Sequence, residues 1–156
     1  MSQPNQDEII RVGRVPDEYC WYTVSPNGTR TYYGCRFSPV MSFPLTVDPN
    51  SVLRDKDGNI GYWAVTAVVD IDGNYIEYEN EVIDGELHVK EIRYTGHATD
   101  LPPAYTVELE WTDRQDKFMD ARLGFQHKTN SLLCRILCIM QIDRTEEYIR
   151  AYGFPM

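Results

Sequence analysis

The sequence predicts a mostly β fold: an antiparallel meander that closes into a small barrel and ends in a short C-terminal helix. Asp-Gly pairs stand at 57–58, 72–73 and 84–85, each followed by a run rich in β-branched and aromatic residues. Asp-Gly between alternating apolar residues is the strongest short-range signal for a β-hairpin. Tyrosine, which favours strands, occurs 11 times among 156 residues.

The length and charge of the chain limit what it can be. A chain of 156 residues is the size of one domain. Residues 1–17 are polar and are predicted to form a flexible arm, which leaves 18–156 as a single β-barrel domain. The net charge of -9 argues against nucleic acid or an anionic membrane as a partner. Because residues 1–10 lack the apolar core of a signal peptide, we expect a cytoplasmic location.

The first predicted hairpin joins residues 19–24 to residues 29–37 through Ser25-Pro26-Asn27-Gly28. This turn suits either a two-residue type I′ turn or a type I turn with a glycine bulge. The two registers differ by one residue, and Cys20 faces Cys35 directly only in the two-residue register. Disulfides are rare in cytosolic proteins, so the redox state of this pair stays open.

Further elements are predicted along the rest of the chain. Residues 38–59 contain three prolines and are predicted to form a loop over a binding site, in which Asp48-Pro49-Asn50-Ser51 can start one helical turn. The apolar run 132–142 suits a strand, with a buried helix as the alternative. About eight strands are expected in all, counting the first hairpin. The later strands are predicted at 60–71, 74–83, 86–95, 104–112, 117–125 and 131–141, and the terminal helix at 144–152. This layout is similar to the lipocalin-like barrels, in architecture only.

A two-residue turn at Asp72-Gly73 would fix the register of the hairpin around it. In that register Trp63, Tyr78 and Asn80 share one face of the sheet. The other face carries three glutamates: Glu77, Glu79 and Glu81. Because three buried, unpaired carboxylates would be very costly, we predict that the Trp63 face is the interior.

A second two-residue turn, at Asp84-Gly85, extends this interior onto the next strand. It sets Tyr78 opposite Glu91 and Ile76 opposite Arg93. On the outer face it pairs Glu79 with Lys90 and Glu81 with His88, as expected for cross-strand charges in a correct register.

The predicted interior therefore brings a few polar groups together inside an apolar wall, the usual make-up of a small-molecule site. We expect Glu91 to act as a general acid or base, with Arg93 holding an anionic or carbonyl oxygen and Tyr78 donating a hydrogen bond. The residues expected to bind the substrate are Asn80, Trp63, Tyr105, Trp111 and Val89.

Two functions remain open from the sequence. The first is a small-molecule-binding barrel, either a binder or a cofactor-free isomerase, cyclase or dehydratase acting on a largely apolar, oxygenated substrate. No motif for a cofactor or metal occurs, so none is expected. The second is an inhibitor-type or immunity-type protein that meets a basic partner through the outer acidic face, which carries Glu77, Glu79, Glu81, Glu108 and Glu110. Either protein can also form a homodimer.

Overall fold

The computed structural model describes residues 6–15, 18–40, 45–99, 101–122, 124, 127–142 and 145–154. Nine of the strands in this part of the chain form one antiparallel sheet, in the order β1-β2-β3-β6-β7-β8-β9-β10-β11, and β4 and β5 form a separate two-stranded ribbon. The strands are β1 (Glu8–Val15), β2 (Glu18–Val24), β3 (Arg30–Tyr33), β4 (Val52–Arg54), β5 (Ile60–Trp63), β6 (Val65–Val69), β7 (Asn74–Ile83), β8 (Glu86–His97), β9 (Tyr105–Asp120), β10 (His127–Ile142) and β11 (Thr145–Gly153).

The mostly β, antiparallel class is confirmed, but the predicted barrel is not found. A barrel needs a hydrogen-bonded ladder that runs all the way round. Here β1 and β11 are the two ends of the sheet, and no pairing joins them among the described residues. Residues 8–15, which the sequence placed in the arm, form β1 and pair with β2. No helix of the described residues is long and apolar enough to cross a membrane.

The predicted C-terminal helix is wrong, because residues 145–153 form strand β11 against β10. Tyr148, Ile149 and Tyr152 all favour strands, and the neighbouring strand β10 supplies the ladder that their backbone needs. The apolar run 132–142 is a strand, as favoured. The strand predicted at 104–112 continues without a break to Asp120 in β9.

The turn after β6 is not the predicted two-residue turn. The Asp70 N–H donates to the Asn74 carbonyl (2.9 Å), and the Gly73 N–H donates to the Asp70 carbonyl (3.2 Å). With Gly73 at φ 91°, this is a type I turn followed by a glycine bulge. The predicted register was therefore wrong by one residue, and Ala67 pairs with Glu77. Such a slip turns every side chain of a strand to the other face.

The turn at Asp84-Gly85 is the predicted two-residue type I′ turn, with both residues at positive φ (51° and 79°). Asn80 pairs with Val89 and Glu81 with His88, as predicted. Beyond these pairs Lys90 forms a bulge, so that Glu79 pairs with Glu91 and Glu77 with Arg93. The predicted pairs of Tyr78 with Glu91 and of Ile76 with Arg93 are therefore wrong.

The main core cluster contains a disulfide between Cys20 and Cys35, whose Cα atoms lie 5.2 Å apart. The β2–β3 turn is the bulged one, since the Gly28 N–H donates to the Ser25 carbonyl (2.8 Å) and Val24 pairs with Arg30. This register sets Gly34, not Cys35, across from Cys20. Gly34 has φ 67°, in the left-handed region open to glycine, and this turn brings Cys35 back to Cys20.

The long connection between β3 and β6 is anchored to the sheet at Asn80. This side chain is only 2% exposed. Its Nδ2 donates to Ser51 Oγ (2.9 Å) and to the Val65 carbonyl (2.9 Å). Ser51 ends the single helical turn Pro49–Ser51, which Asp48 caps as predicted. Asn80 therefore serves the packing of the connection.

Reducing the Cys20–Cys35 disulfide should lower the free energy of unfolding by about 3 kcal/mol, because it releases a closed loop whose ends are separated by 15 positions. Thermal unfolding with and without dithiothreitol measures the effect. A Cys20→Ala/Cys35→Ala variant should not respond to the reductant. A Cys134→Ala/Cys138→Ala control, which removes the two free cysteines, should respond like wild type. Equal melting temperatures in the two buffers would contradict the bridge.

Candidate functional site

A guanidinium surrounded by three carboxylates lies near the middle of the sheet. Arg93 donates from Nε to Glu77 (2.5 Å), and from one terminal nitrogen to Glu91 (2.8 Å) and Glu79 (3.2 Å). We call these four residues the Arg93 cluster. It follows from the bulge at Lys90, which places the three glutamates and Arg93 on one face of β7 and β8.

The surroundings of the Arg93 cluster are strongly negative. The Lys90 ammonium lies 3.0 Å from Glu79, and its hydrogen bond holds the pKa of Glu79 below its ordinary value. Glu91 also pairs directly with Glu108 on β9, and like charges opposite each other destabilise a sheet. Burial raises the pKa of Glu108. The charges of Glu91, Glu146 and Glu110 raise that pKa further. The face of the sheet that carries the Arg93 cluster therefore has more negative than positive charge, and we call it the negative face.

The structure separates the residues predicted to form one site. Glu91 and Arg93 do lie together. Tyr78 stands between Glu77 and Glu79 on β7, so its side chain projects to the opposite face, where it pairs with Ile92. Asn80 is held by Ser51. The expected acid, guanidinium, phenol and amide thus do not converge.

The predicted wall residues are also spread over several places. Trp63 donates from Nε1 to the Tyr19 carbonyl (2.9 Å) and packs against the rings of Tyr19 and Trp21. Tyr105 stacks on Tyr94, with ring centroids 5.3 Å apart. Trp111 donates from Nε1 to the Val89 carbonyl (2.9 Å) and packs on His88. These contacts hold neighbouring strands together and define no shared pocket.

Two hollows border the negative face. One, of about 260 Å³, is lined by Arg93, Glu77, Glu79, Arg36 and other residues. The second, of about 380 Å³, lies between the carboxylates of Glu91, Glu108 and Glu110 and the side chains of Leu109 and Trp111. The carboxylates of the second hollow suit a cation. Among the described residues, no three His, Cys, Asp or Glu side chains are arranged to hold a metal ion.

A buried pair of ionisable residues was missed by the sequence analysis. His88, predicted to face solvent, is 2% exposed, and Glu86 is 6% exposed. One oxygen of Glu86 accepts the backbone N–H groups of Asn130 (2.7 Å) and Ser131 (3.0 Å) and lies 3.6 Å from His88 Nε2. The ring of Trp111 covers His88, with centroids 4.5 Å apart. These contacts tie the β9–β10 hairpin to the start of β8, and nothing local in the sequence reveals them.

The last strand of the sheet is exposed along its whole length. All nine residues of β11 are exposed, including Tyr148 (69%) and Ile149 (53%). Tyr152 of the same strand is 45% exposed, and Phe154, which comes directly after β11, is 47% exposed. β11 pairs with β10 on one side only, so its other edge presents free backbone groups in the described part of the chain. An unpaired edge that also exposes large apolar side chains is a template with which another strand can pair.

No protein-family model and no curated protein matches this chain. Solved structures do share its fold. The N-terminal domain of the effector protein SpvB from Salmonella typhimurium has a TM-score of 0.72 at 12% identity, with 99% of this chain and 67% of that chain covered.

Two Tc toxin structures are also similar. TcdB2-TccC3 without its hypervariable C-terminal region gives a TM-score of 0.72 at 12% identity, with 96% of this chain covered. The Photorhabdus luminescens Tc holotoxin pore gives 0.65 at 14% identity, with 85% covered. This chain spans only 9% and 8% of those two chains. At these identities the likeness shows the fold alone.

Replacing Arg93 with Met should destabilise the protein by about 1–3 kcal/mol, since three carboxylates lose their shared cation. Chemical denaturation measures the change. The loss should shrink at strongly acidic pH, where Glu79, whose pKa Lys90 and Arg93 hold below its ordinary value, becomes protonated. Arg114→Met is the matched control, because Arg114 pairs with the exposed Asp116 (2.7 Å), and this variant should lose much less stability than Arg93→Met. Equal losses in the two variants would contradict a central role for Arg93.

Replacing Glu108 with Gln should stabilise the protein around neutral pH, raising the melting temperature by roughly 1–3 °C. The pKa of Glu108 is raised in the fold, so its ionised form costs stability as the pH climbs above the ordinary value of 4.5. Well below pH 4.5 Glu108 is protonated in both the folded and the unfolded chain, so the advantage of the variant should vanish there. Melting curves across pH test this, with Glu8→Gln on β1 as an exposed control. A variant less stable than wild type at neutral pH would overturn the argument.

Proposed function

We propose that this chain is a non-enzymatic protein-interaction module whose sheet is extended by a strand of a partner at β11. The observation that carries the proposal is the exposed edge of β11, with its free backbone groups and its apolar side chains. A strand added to such an edge gains main-chain hydrogen bonds and covers the apolar residues together.

The two ends of the sheet are not equivalent. The β1–β2 ladder is interrupted between Val12 and Val15, and Gly13 has φ 117°. Arg11 lies over the Tyr19 ring, 4.0 Å from its centroid. Bulges and charges are common ways of protecting an edge from unwanted pairing. The β11 edge carries the larger apolar surface, which supports β11 as the edge that binds.

The similar structures support a role inside a larger protein. They are a domain of an effector and chains of Tc toxins, and in the toxin chains the matched fold is a small fraction of the length. We propose by analogy that this chain is one structural module of a toxin-type assembly. Such a module needs to be stable and to present a joining surface, and it needs no catalytic group of its own.

A second candidate surface is the acidic face around Glu91, Glu108 and Glu110. Its uncompensated charge would suit a basic partner, as the inhibitor-type or immunity-type hypothesis expects. The small-molecule hypothesis has less support, because its predicted acid, Glu91, is engaged by Arg93 while Tyr78 and Asn80 lie elsewhere. A native mass spectrum of the purified protein would show whether a small molecule stays bound.

The disulfide bears on where the protein acts. Disulfides persist mainly in oxidising compartments and are rare in the cytosol. The buried Cys20–Cys35 bridge therefore supports an oxidising location over the cytoplasmic one that we expected from the sequence.

The double substitution Tyr148→Lys/Ile149→Lys tests the interaction edge. Because both side chains are more than half exposed, the free energy of unfolding should change by less than about 1 kcal/mol. Binding of the dye 1-anilinonaphthalene-8-sulfonate, which reports exposed apolar surface, should fall when it is measured on dilute, monomeric protein. Ile9→Lys on β1, also exposed, is the control and should leave most of the dye signal. A large loss of stability would show that these residues serve the chain's own packing.

A further inference from the structure

We propose that the partner strand is the β11 of a second copy of this chain, antiparallel to the first, with a two-fold axis between Tyr148 and Ile149. This inference rests on the proposed function, because it names the partner that the β11 edge accepts. It draws on three features of β11: the direction of its backbone groups, its bulge and its charges.

The backbone groups that point outward can be assigned from two hydrogen bonds. The Gln141 N–H donates to the Ala104 carbonyl (2.8 Å), away from β11, and the Phe154 N–H donates to the Cys134 carbonyl (3.0 Å), toward β10. In an antiparallel ladder the direction alternates from one residue to the next. Ala151 therefore points its N–H outward, and so does Glu146, which pairs with Gln141.

A bulge at Ile149 decides which side chains share a face. Tyr148 pairs with Ile139 and Arg150 with the next residue, Cys138, so Ile149 is the extra residue. Glu147, paired with Met140, consequently lies on the same face as Arg150. Without the bulge these two side chains would lie on opposite faces.

The charges then select one register. When Glu147 faces Arg150 of the second copy, Glu146 faces Ala151 of the second copy. Both members of this second pair point their N–H groups outward, so they can form a hydrogen-bonded pair. The two-fold symmetry repeats each contact. Tyr148 and Ile149 lie at the centre, where their apolar surfaces cover each other.

Other registers lack this complementarity. A shift by two residues in either direction separates Glu147 from Arg150 of the second copy. Pairing Glu146 with Arg150 is excluded, because the two side chains lie on opposite faces. Arg150 contacts the Tyr152 hydroxyl in the single chain (3.0 Å), and its remaining N–H groups can bind a carboxylate.

Sedimentation equilibrium of the purified full chain, over a range of concentrations, tests the proposal. We expect a dimer for wild type. Glu147→Lys and Arg150→Glu should each weaken it at least about tenfold, because each places like charges opposite one another twice. The double variant Glu147→Lys/Arg150→Glu exchanges the two charges and should recover the wild-type dissociation constant.

A second pair of variants tests the backbone contacts independently. Ala151→Pro removes an outward N–H without removing a hydrogen bond to β10, a position where an edge strand tolerates proline. It should fold, by its melting curve, and be monomeric, whereas Ala151→Ser keeps the N–H and should dimerise.

Three results would overturn the second copy as the partner: a wild type that stays monomeric, a dimer indifferent to both charge reversals, or one indifferent to Ala151→Pro. If wild type is monomeric and its dye binding still depends on Tyr148 and Ile149, the interaction edge stands and only the identity of its partner fails. If the dye binding does not depend on them, the proposed function fails as well.

Discussion

The glycine bulge at Gly73 decides which side chains meet in the middle of the sheet. It shifts the β6–β7 hairpin by one residue, so that Glu77 shares a face with Ala67. A second bulge, at Lys90, turns Glu91 and Arg93 to the same face. The Arg93 cluster depends on the bulge at Lys90, whereas the bulge at Gly73 sets which side chains of β6 lie beside it. With a regular β7–β8 ladder Arg93 would face Ile76, and Glu77, Glu79 and Glu81 would lie on the other face of the sheet.

The fold class could be predicted because its signals are local. Asp-Gly pairs and alternating runs located β7 and β8 almost to the residue. A signal for the bulged turn was also present in the sequence. Asp70 stands two residues before Asp72-Gly73, and its Oδ1 accepts the N–H groups of Asp72 (2.9 Å) and Asn74 (2.8 Å).

The same arrangement recurs at the turn Asp55–Asn59, where Asp55 accepts from Asp57 and Asn59. The two-residue turn at Asp84-Gly85 has Val82 in the corresponding position, and Val82 has no acceptor in its side chain. An aspartate two residues before Asp-Gly therefore marks the bulged turn. The burial of His88 and the open ends of the sheet had no such signal, since they depend on strands far away along the chain.

The two halves of the sheet differ in how their surfaces are covered. In the first half the Cys20–Cys35 bridge, Phe37 and Leu45 pack into the core, while Asn80 fastens the Pro49–Ser51 turn to β7. In β9 to β11 only Leu137 and Ile139 are buried hydrophobic residues, among those the structure describes. The first half thus supplies a self-contained core, whereas the last strands keep apolar surface in contact with water. The buried contacts are therefore concentrated at one end of the sheet and the exposed edge lies at the other, and the net charge of -9 opposes unspecific aggregation of that edge.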